Sequence, residues 1–349
     1  MKVGIRKLVM AFLAIMWLLN PGMVSAQGQT EAQLKEKQEE FLKWKFGLFL
    51  HFNMGTFVNR DWSTGHEDPL AFNPEKLNCN QWAKTMKSAG MKYAVLTVKH
   101  TGGWCLWDSK YTTHDVGSFK NYKEGNGDIL GEYVKAMREH GIKVGIYYCL
   151  PGDYSTRFGS KEDDAKGYKI TAEQEDLHGL PPEAKGDYAG FIEKQVTELL
   201  SDYGTIDLIW FDQYHNKYTG KNWQQLKRLV HRLQPNCIVI ANNSHDYKDT
   251  DILSYEFPVF KKSIDEALSV ENPKPSEVSD VIVEEGKWFW HNDRKFTFRK
   301  AEEIVGMVKI CNSRGANYLL NVQPDNEGLI SGEYLKTLQE VGIRMNKNP

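Results

Sequence analysis

The stretch Ile206-Asp-Leu-Ile-Trp-Phe-Asp212 decides the fold, because it is an apolar run of strand length that ends on a carboxylate. Runs of this kind alternate along the chain with amphipathic stretches, and that alternation predicts βαβ units and a parallel sheet. We predict eight strands, at residues 47–52, 93–97, 143–148, 207–211, 237–241, 251–254, 280–283 and 317–321. Helices between the strands, and no Gly-x-Gly-x-x-Gly motif after any of them, favour a (β/α)8 TIM-like barrel over a doubly wound sheet.

Amphipathic periodicity predicts the helices that connect these strands. It is clearest at residues 81–89, 129–140, 188–203, 223–233 and 302–312, and a last helix is predicted at 331–343. Two long polar segments, 153–185 and 260–279, follow predicted strand ends, where the connections of a barrel usually shape a substrate pocket. No linker marks a second folding unit, so we expect one catalytic barrel domain at 27–349.

Composition and charge narrow the class of protein. The chain has 349 residues, of which 41% are hydrophobic and 26% charged, as is typical of a globular protein, and its formal net charge is −2. This balance gives no general attraction to nucleic acid or to an anionic membrane surface, and it suits a neutral substrate. Five scattered cysteines without a Cys-x-x-Cys pair argue against a disulfide scaffold and a zinc cluster, so we expect buried free thiols.

The first 26 residues have the features of a cleavable signal peptide. Lys2, Arg6 and Lys7 form a basic start, residues 8–19 are an apolar run too short to span a bilayer comfortably, and small residues at 24–26 form a cleavage site. No later apolar run is long enough to span a membrane. We therefore expect a periplasmic or secreted protein without membrane insertion.

Asp212 lies where a buried strand emerges, at the end of a barrel that carries catalytic groups. An aspartate at a strand end can also cap a helix by accepting from backbone amides, and the residues alone leave both interpretations open. A glycosidase that retains configuration needs a second carboxyl about 5–5.5 Å from its nucleophile. Glu256 follows the sixth predicted strand and qualifies by position, while Glu277, Glu284 and Glu285 are rivals near the seventh.

His51 and His100 end the first and second predicted strands. Two histidines at equivalent strand ends suit neutral imidazoles that donate to sugar hydroxyls, although a lone histidine is more often a structural residue. A metal would also explain two histidines near acids, but there is no His-Glu-x-x-His, no short ligand spacing and no cysteine set. Without a Gly-x-Ser-x-Gly motif, a serine hydrolase is disfavoured as well. We expect neither a metal nor a cofactor.

Several blocks of sequence occur in a fixed order. They are 46–57 with its His51, Asp61-Trp62 with Glu67-Asp-Pro69, Lys99-His100 with 105–107 and 109–112, Trp210-Phe211-Asp212, Glu256 after the sixth strand, and 317–325. Together they resemble the α-L-fucosidases of glycoside hydrolase family twenty-nine, over essentially all of the chain after the first 26 residues.

The resemblance implies exo-hydrolysis of terminal α-linked fucose from an oligosaccharide or glycoconjugate glycan, with retention through a covalent glycosyl-aspartyl intermediate. It assigns Asp212 as the nucleophile and Glu256 as the acid and then the base. Five further residues would line the pocket for one fucose: His51, Trp62, Glu67, His100 and Trp210. Segments 275–280 and 286–291 resemble the branch of the family that is selective for α-1,3 and α-1,4 linkages.

Three features depart from the family's pattern. His100 is followed by Thr101-Gly-Gly-Trp104, where the family commonly has a second histidine and then Asp-Gly, so one expected sugar contact is missing. Asp61 stands where glutamate is common, and we expect no C-terminal β-sandwich domain. A retaining glycosidase for a fucose-related sugar and a catalytically weak sugar-binding barrel are therefore the alternatives.

Overall fold

The computed structural model describes residues 29–65, 67–150, 187–212, 220–242, 249–257 and 263–347. Eight strands lie in this part of the chain. They are β1 (Phe46–Leu50), β2 (Tyr93–Lys99), β3 (Lys143–Cys149), β4 (Leu208–Asp212), β5 (Ile238–Ala241), β6 (Leu253–Glu256), β7 (Ser276–Val281) and β8 (Ala316–Asn321).

The strands form one parallel sheet that curls into a nearly closed (β/α)8 barrel, as predicted. Their order is β5-β4-β3-β2-β1-β8-β7-β6, and every hydrogen-bonded neighbour is parallel. No ladder joins β5 to β6 among the described residues. Asp251 bridges that seam: its backbone N–H donates to Val239 O at 2.9 Å, and its Oδ2 accepts from Val239 N–H at 3.0 Å.

Helices connect the strands and flank the barrel. The described ones are α1 (Glu31–Leu42), α2 (Met54–Val58), α3 (Cys79–Ser88), α4 (Ile129–Glu139), α5 (Tyr188–Asp202), α6 (Gly220–Leu233), α7 (Ile264–Ala267), α8 (Ala301–Ser313) and α9 (Gly332–Lys347). Short polar side chains start several of them, since Asn78 caps α3 and Asp128 caps α4 by accepting from backbone amides of the first turn. The predicted connecting helices are therefore present, with ends that shift by a few residues.

Helix α1, which the sequence analysis did not predict, closes the N-terminal end of the barrel. Thr30 and Gln33 form a capping box at its start. Phe41, near its end, packs edge-on against Tyr93 at the beginning of β2. Only Lys37 and Phe41 of its residues are buried, so the helix has almost no apolar stripe that a sequence pattern could reveal.

Side chains on the inner face of the strands fill the barrel, and those on the outer face pack under the helices. The inner cluster includes Phe49, Tyr147 and Trp210, whose rings are all but inaccessible. Gly47 makes room for this packing, because a Cβ there would lie 2.4 Å from the ring of Tyr93. The interior is thus a packed core below the site and not a channel.

Each predicted strand overlaps an observed one, but β7 begins four residues earlier than predicted. It was predicted at 280–283 and actually begins at Ser276. Four of its six residues are polar, yet all six are buried, so it lacks the apolar run that identifies the other strands. The segment predicted as a polar connection at 260–279 therefore contains helix α7 and most of this strand. β6 likewise begins at Leu253 and extends through Glu256.

Other predictions fall on different parts of the chain. The signal peptide at 1–26 and the polar segment at 153–185 lie outside the described residues. All five cysteines are free and buried, as expected. In the ranges that the structure covers, no helix is both long and apolar enough to cross a membrane.

Candidate active site

The C-terminal ends of the strands bring a polar cluster together at one mouth of the barrel. His51 follows β1, His100 follows β2, and Asn242 follows β5. Asp212 and Glu256 are the last residues of β4 and β6. Glu256 is buried and Asp212 is partly exposed, so the pair borders the solvent.

Asn242 joins the two carboxylates. Its Nδ2 donates to Asp212 Oδ1 at 3.0 Å and to Glu256 Oε2 at 2.8 Å. Because one nitrogen contacts both oxygens, these oxygens are less than about 6 Å apart, which matches the short carboxyl separation of retaining glycosidases. An ionised carboxylate can only accept, so the same contacts fix which end of the Asn242 amide faces it.

Tyr147 on β3 holds the other oxygen of Asp212. Its hydroxyl donates to Asp212 Oδ2 at 2.7 Å. The ring of Tyr147 stacks on Trp210, with centroids 5.5 Å apart and planes 19° from parallel, and it also stacks with His100 at 5.3 Å. Asp212 is therefore held through both oxygens, by Tyr147 on β3 and by Asn242 directly after β5.

His51 is a neutral imidazole. Burial lowers the pKa of His51 to about 3, although its hydrogen bond with Asn321 and the charge of Asp61 oppose that shift. Asn321 Nδ2 donates to Trp288 O, so Asn321 Oδ1 accepts from His51 Nδ1–H at 2.8 Å. His51 Nε2 is then an acceptor. The sequence analysis expected this histidine to donate to a sugar hydroxyl, whereas the contact with Asn321 uses its one ring proton and leaves Nε2 to accept.

His100 lies beside His51, with ring centroids 5.6 Å apart, and packs edge-on against Phe289. Thr101, the residue that replaces the expected second histidine, is buried, and its hydroxyl lies 3.1 Å from His100 Nδ1. The side chain at position 101 thus touches His100 itself.

The loop that carries Trp62 is tied to the loop after β7. Asp61 Oδ1 accepts from the backbone N–H groups of Trp288 and Phe289 at 3.1 Å, and Asp61 Oδ2 lies 3.1 Å from Lys287 Nζ. Burial alone would raise the pKa of Asp61, but His291 and Lys287 lower it to about 2. Trp62 next to it is 40% exposed, unlike the other aromatic residues of the site.

Glu67 anchors its own loop. Its carboxylate accepts from Thr64 N–H and the Thr64 hydroxyl through Oε1, and from Gly65 N–H and Trp104 Nε1–H through Oε2. These four bonds occupy the acceptor sites that a carboxylate offers. The prediction that Glu67 contacts the sugar therefore lacks geometric support, and the residue fixes the position of the loop.

Trp210 and Glu277 meet inside the barrel below the mouth. Trp210 Nε1 donates to Glu277 Oε1 at 2.8 Å, so its polar edge points away from the site. Glu277 is fully buried and also accepts from the Tyr93 hydroxyl at 2.7 Å. Burial raises the pKa of Glu277 to about 7 against these two hydrogen bonds. Glu256, the candidate for the second carboxyl, is joined to Asp212 through Asn242, whereas its rival Glu277 bonds to Trp210 and Tyr93.

Sequence reasoning missed three residues of this cluster: Tyr147, Asn242 and Asn321. One sequence pattern could have identified all three, because each is a polar residue that lies on the inward-facing side of a strand or directly after a strand. Asn242 follows an apolar run as Asp212 does, yet an amide at such a place is less conspicuous than an acid. Across the described ranges, no three His, Cys, Asp or Glu side chains cluster in a way that could hold a metal ion.

Comparison with known proteins identifies one family. The model of the alpha-L-fucosidase family matches residues 61–349. Alpha-L-fucosidase 1 of Arabidopsis thaliana is 30% identical over 331 residues, which cover 87% of this chain and 59% of the plant protein. A putative alpha-L-fucosidase 1 of Oryza sativa is 30% identical and covers 86% and 56%. This chain thus spans a little under three fifths of the length of these curated relatives.

Solved structures share the fold. Alpha-L-fucosidase isoenzyme 1 from Paenibacillus thiaminolyticus superposes with a TM-score of 0.71 at 28% identity, covering 90% of this chain and 76% of that one. The alpha-L-fucosidase AlfC from Lactobacillus casei, in complex with its alpha-L-fucose product, has a TM-score of 0.71 at 22% identity, with coverage of 89% and 98%. The second likeness supports the barrel alone.

Proposed function

Because the chain belongs to the alpha-L-fucosidase family, we propose that it is an exo-α-L-fucosidase that hydrolyses terminal α-linked fucose with retention. The observation that carries this proposal is the single amide of Asn242, which contacts both Asp212 and Glu256 and keeps their oxygens less than about 6 Å apart. Retaining glycosidases hold their two carboxyls about 5–5.5 Å apart, closer than inverting ones do, and this shared contact supports retention.

The geometry supports two steps. In the first, an oxygen of Asp212 attacks the anomeric carbon while the bond from that carbon to the leaving oxygen breaks and Glu256 gives this oxygen a proton. In the second, Glu256 takes a proton from water, the water oxygen bonds to the anomeric carbon, and Asp212 is released.

The surrounding residues suit a neutral sugar. His51 Nε2 can accept from a sugar hydroxyl, and the aromatic rings of Tyr147, Trp288 and Phe289 offer apolar faces near it. The exposed ring of Trp62 suits a contact with the sugar or the group beyond it. We include in the proposal export through the first 26 residues, and α-1,3 or α-1,4 linkages as the preferred bonds.

Asp212→Ala should abolish hydrolysis of an aryl α-L-fucoside, while exposed Asp202→Ala, at the end of α5, should not. Glu256→Ala should lose most of its rate on substrates with poor leaving groups, and azide should restore turnover of activated ones by attacking the β-linked glycosyl-aspartyl intermediate, which gives the α-azide. NMR of the first-formed sugar should show the α-anomer. Full activity in Asp212→Ala, or a β-anomer first, contradicts the proposal, and azide rescue in a Glu277 variant contradicts the role of Glu256.

A fucose-related sugar is the second candidate, and Thr101 favours it. The side chain that replaces a second histidine is shorter and bonds to His100, so the pocket offers the sugar one imidazole fewer. A panel of aryl α-L-fucoside and α-L-galactoside, with α-1,2, α-1,3, α-1,4 and α-1,6 fucosyl oligosaccharides, separates the two candidates and tests the linkage. A higher kcat/KM on the galactoside would favour the second.

A further inference from the structure

Glu277 is a fully buried carboxyl that the proposed mechanism does not use. It faces the barrel interior from β7. In the pairing of β6 with β7, Glu277 lies opposite Ser254 and Ser279 lies opposite Glu256, so Glu277 is one inward-facing residue further from the mouth than Glu256. Among the described residues no lysine, arginine or histidine pairs with it, and Tyr93 is the one titratable group in contact with it. Burying an acid without a cation is unfavourable, and departures from that rule concentrate at functional sites.

Glu277 accepts two hydrogen bonds, one from Trp210 and one from Tyr93. Its Oε1 accepts from Trp210 Nε1–H at 2.8 Å and its Oε2 accepts from the Tyr93 hydroxyl at 2.7 Å. An indole N–H has one direction and donates only, so this contact fixes the rotation of the Trp210 ring. Tyr93 lies at the entry end of β2, on the side of Glu277 away from the catalytic pair.

The orientation of the Trp210 ring affects the position of Asp212 through Tyr147, which contacts both. The Trp210 and Tyr147 rings are stacked at 5.5 Å and 19°, and the Tyr147 hydroxyl donates to Asp212 Oδ2 at 2.7 Å. A turn of the indole would therefore displace the ring whose hydroxyl orients the nucleophile. Trp210 also precedes Asp212 by two residues on the same strand, so both side chains share the inward face of β4.

We propose that Glu277 is a positioning residue for the reaction, which sets the orientation of Asp212 by holding the indole of Trp210 against Tyr147. The inference rests on the proposed function, because it concerns the nucleophile of that site. Either protonation state can serve, since a protonated carboxyl still accepts from Trp210 through Oε1 while its O–H faces Tyr93.

Four variants test the idea. Glu277→Leu removes the acceptor, and Trp210→Phe removes the donor while Glu277 stays in place. Both should lower kcat by about 10- to 100-fold, as expected for a small misplacement of a reacting group, with KM changed less than about threefold. Glu277→Gln can still accept from Trp210 and donate to Tyr93, so it should keep most of kcat. Tyr93→Phe, the matched control, breaks the bond on the far side of the same carboxylate and should keep kcat.

The double variant with Glu277→Leu and Trp210→Phe should be no slower than the slower single variant, because both remove one interaction. A spectroscopic readout does not depend on activity. The indole N–H resonance of Trp210, assigned by its loss in Trp210→Phe, should shift with a midpoint near pH 7 in the wild-type protein, and the Glu277→Gln protein should not show this shift.

The outcomes separate this inference from the proposed function. Wild-type kcat in Glu277→Leu, equal losses in Glu277→Gln and Glu277→Leu, or a loss in Tyr93→Phe as large as in Trp210→Phe would overturn the positioning role. If Glu277→Leu does not fold, Trp210→Phe and the indole resonance decide. A wild-type protein without fucosidase activity would refute the proposed function. If the indole resonance of Trp210 does not respond to the substitution of Glu277, the proposed hold of Glu277 on Trp210 is refuted, whether or not the protein is a fucosidase.

Discussion

The buried carboxyl of Glu277 should make the folded protein less stable as the pH rises from 4 to 8. Burial raises the pKa of this group from 4.5 to about 7, against the bonds from Tyr93 and Trp210. In that interval the unfolded chain has released the proton and the folded chain has not, so folding binds a proton and becomes less favourable with rising pH. The stabilisation is complete below pH 4.5 and is lost as the pH passes 7.

The size of the effect follows from the two pKa values. Each pH unit between them corresponds to about 1.36 kcal/mol, so the rise from 4.5 to about 7 corresponds to about 3 kcal/mol. Glu277→Gln has nearly the same shape and does not titrate. Its free energy of unfolding, relative to that of the wild-type protein, should therefore increase by about 3 kcal/mol between pH 4 and pH 8.

Urea unfolding followed by tryptophan fluorescence at each pH measures this difference. Other titrating groups, such as Asp280 with its pKa raised by burial to about 6, are common to both proteins and cancel when the two curves are subtracted. Glu36→Gln, a change of an exposed glutamate on α1, is the control and should give a flat difference. A difference between Glu277→Gln and wild type that stays within about 0.5 kcal/mol across the range would refute the reasoning.

Three further predictions concern other residues, and a fourth concerns treatment with a chelator. Gly47→Ala places a Cβ 2.4 Å from the Tyr93 ring and should lower the free energy of unfolding by about 1–3 kcal/mol in urea titrations. Asn242→Ala frees both carboxylates from one donor and should lower kcat by about 10- to 100-fold in steady-state assays, with folding retained by circular dichroism. Glu67→Gln weakens the bonds from its loop and Trp104, and should speed proteolysis of that loop while kcat changes less than KM. Overnight dialysis against a chelator should leave activity unchanged.

The sequence was informative about the fold wherever a strand is apolar on both faces. Residues 208–211 of β4 are buried without exception and read as one apolar run, which located both the strand and the acid at its end. β7 shows the limit of this signal. Its inward positions carry Glu277 and Ser279, so the pattern of the strand is polar although it lies in the core.

The two acids of the candidate site could be predicted from the sequence, but the side chains that orient them could not. Asp212 and Glu256 could be placed at one mouth of the barrel from strand order alone, because the ends of parallel strands converge there. The donors that orient them, Tyr147 and Asn242, depend on which strands are neighbours and on side-chain reach, which no local pattern contains. The same applies to Glu67, whose four hydrogen bonds come from Thr64, Gly65 and Trp104, on two loops that only the fold brings together.

The contact between Asn242 and Glu256 depends on how the barrel closes. These residues end β5 and β6, the two strands that no ladder joins in the described residues, so hydrogen bonds between strands do not fix their separation. At the opposite end of the seam, Asp251 bonds to both backbone groups of Val239 and lies 2.9 Å from Lys37 Nζ on α1. That bridge and the amide of Asn242 thus hold the seam at its two ends. Because the amide of Asn242 also contacts Asp212, the seam that α1 and Asp251 support at the far end of the barrel also bears on the relative position of the two candidate carboxyls at the mouth.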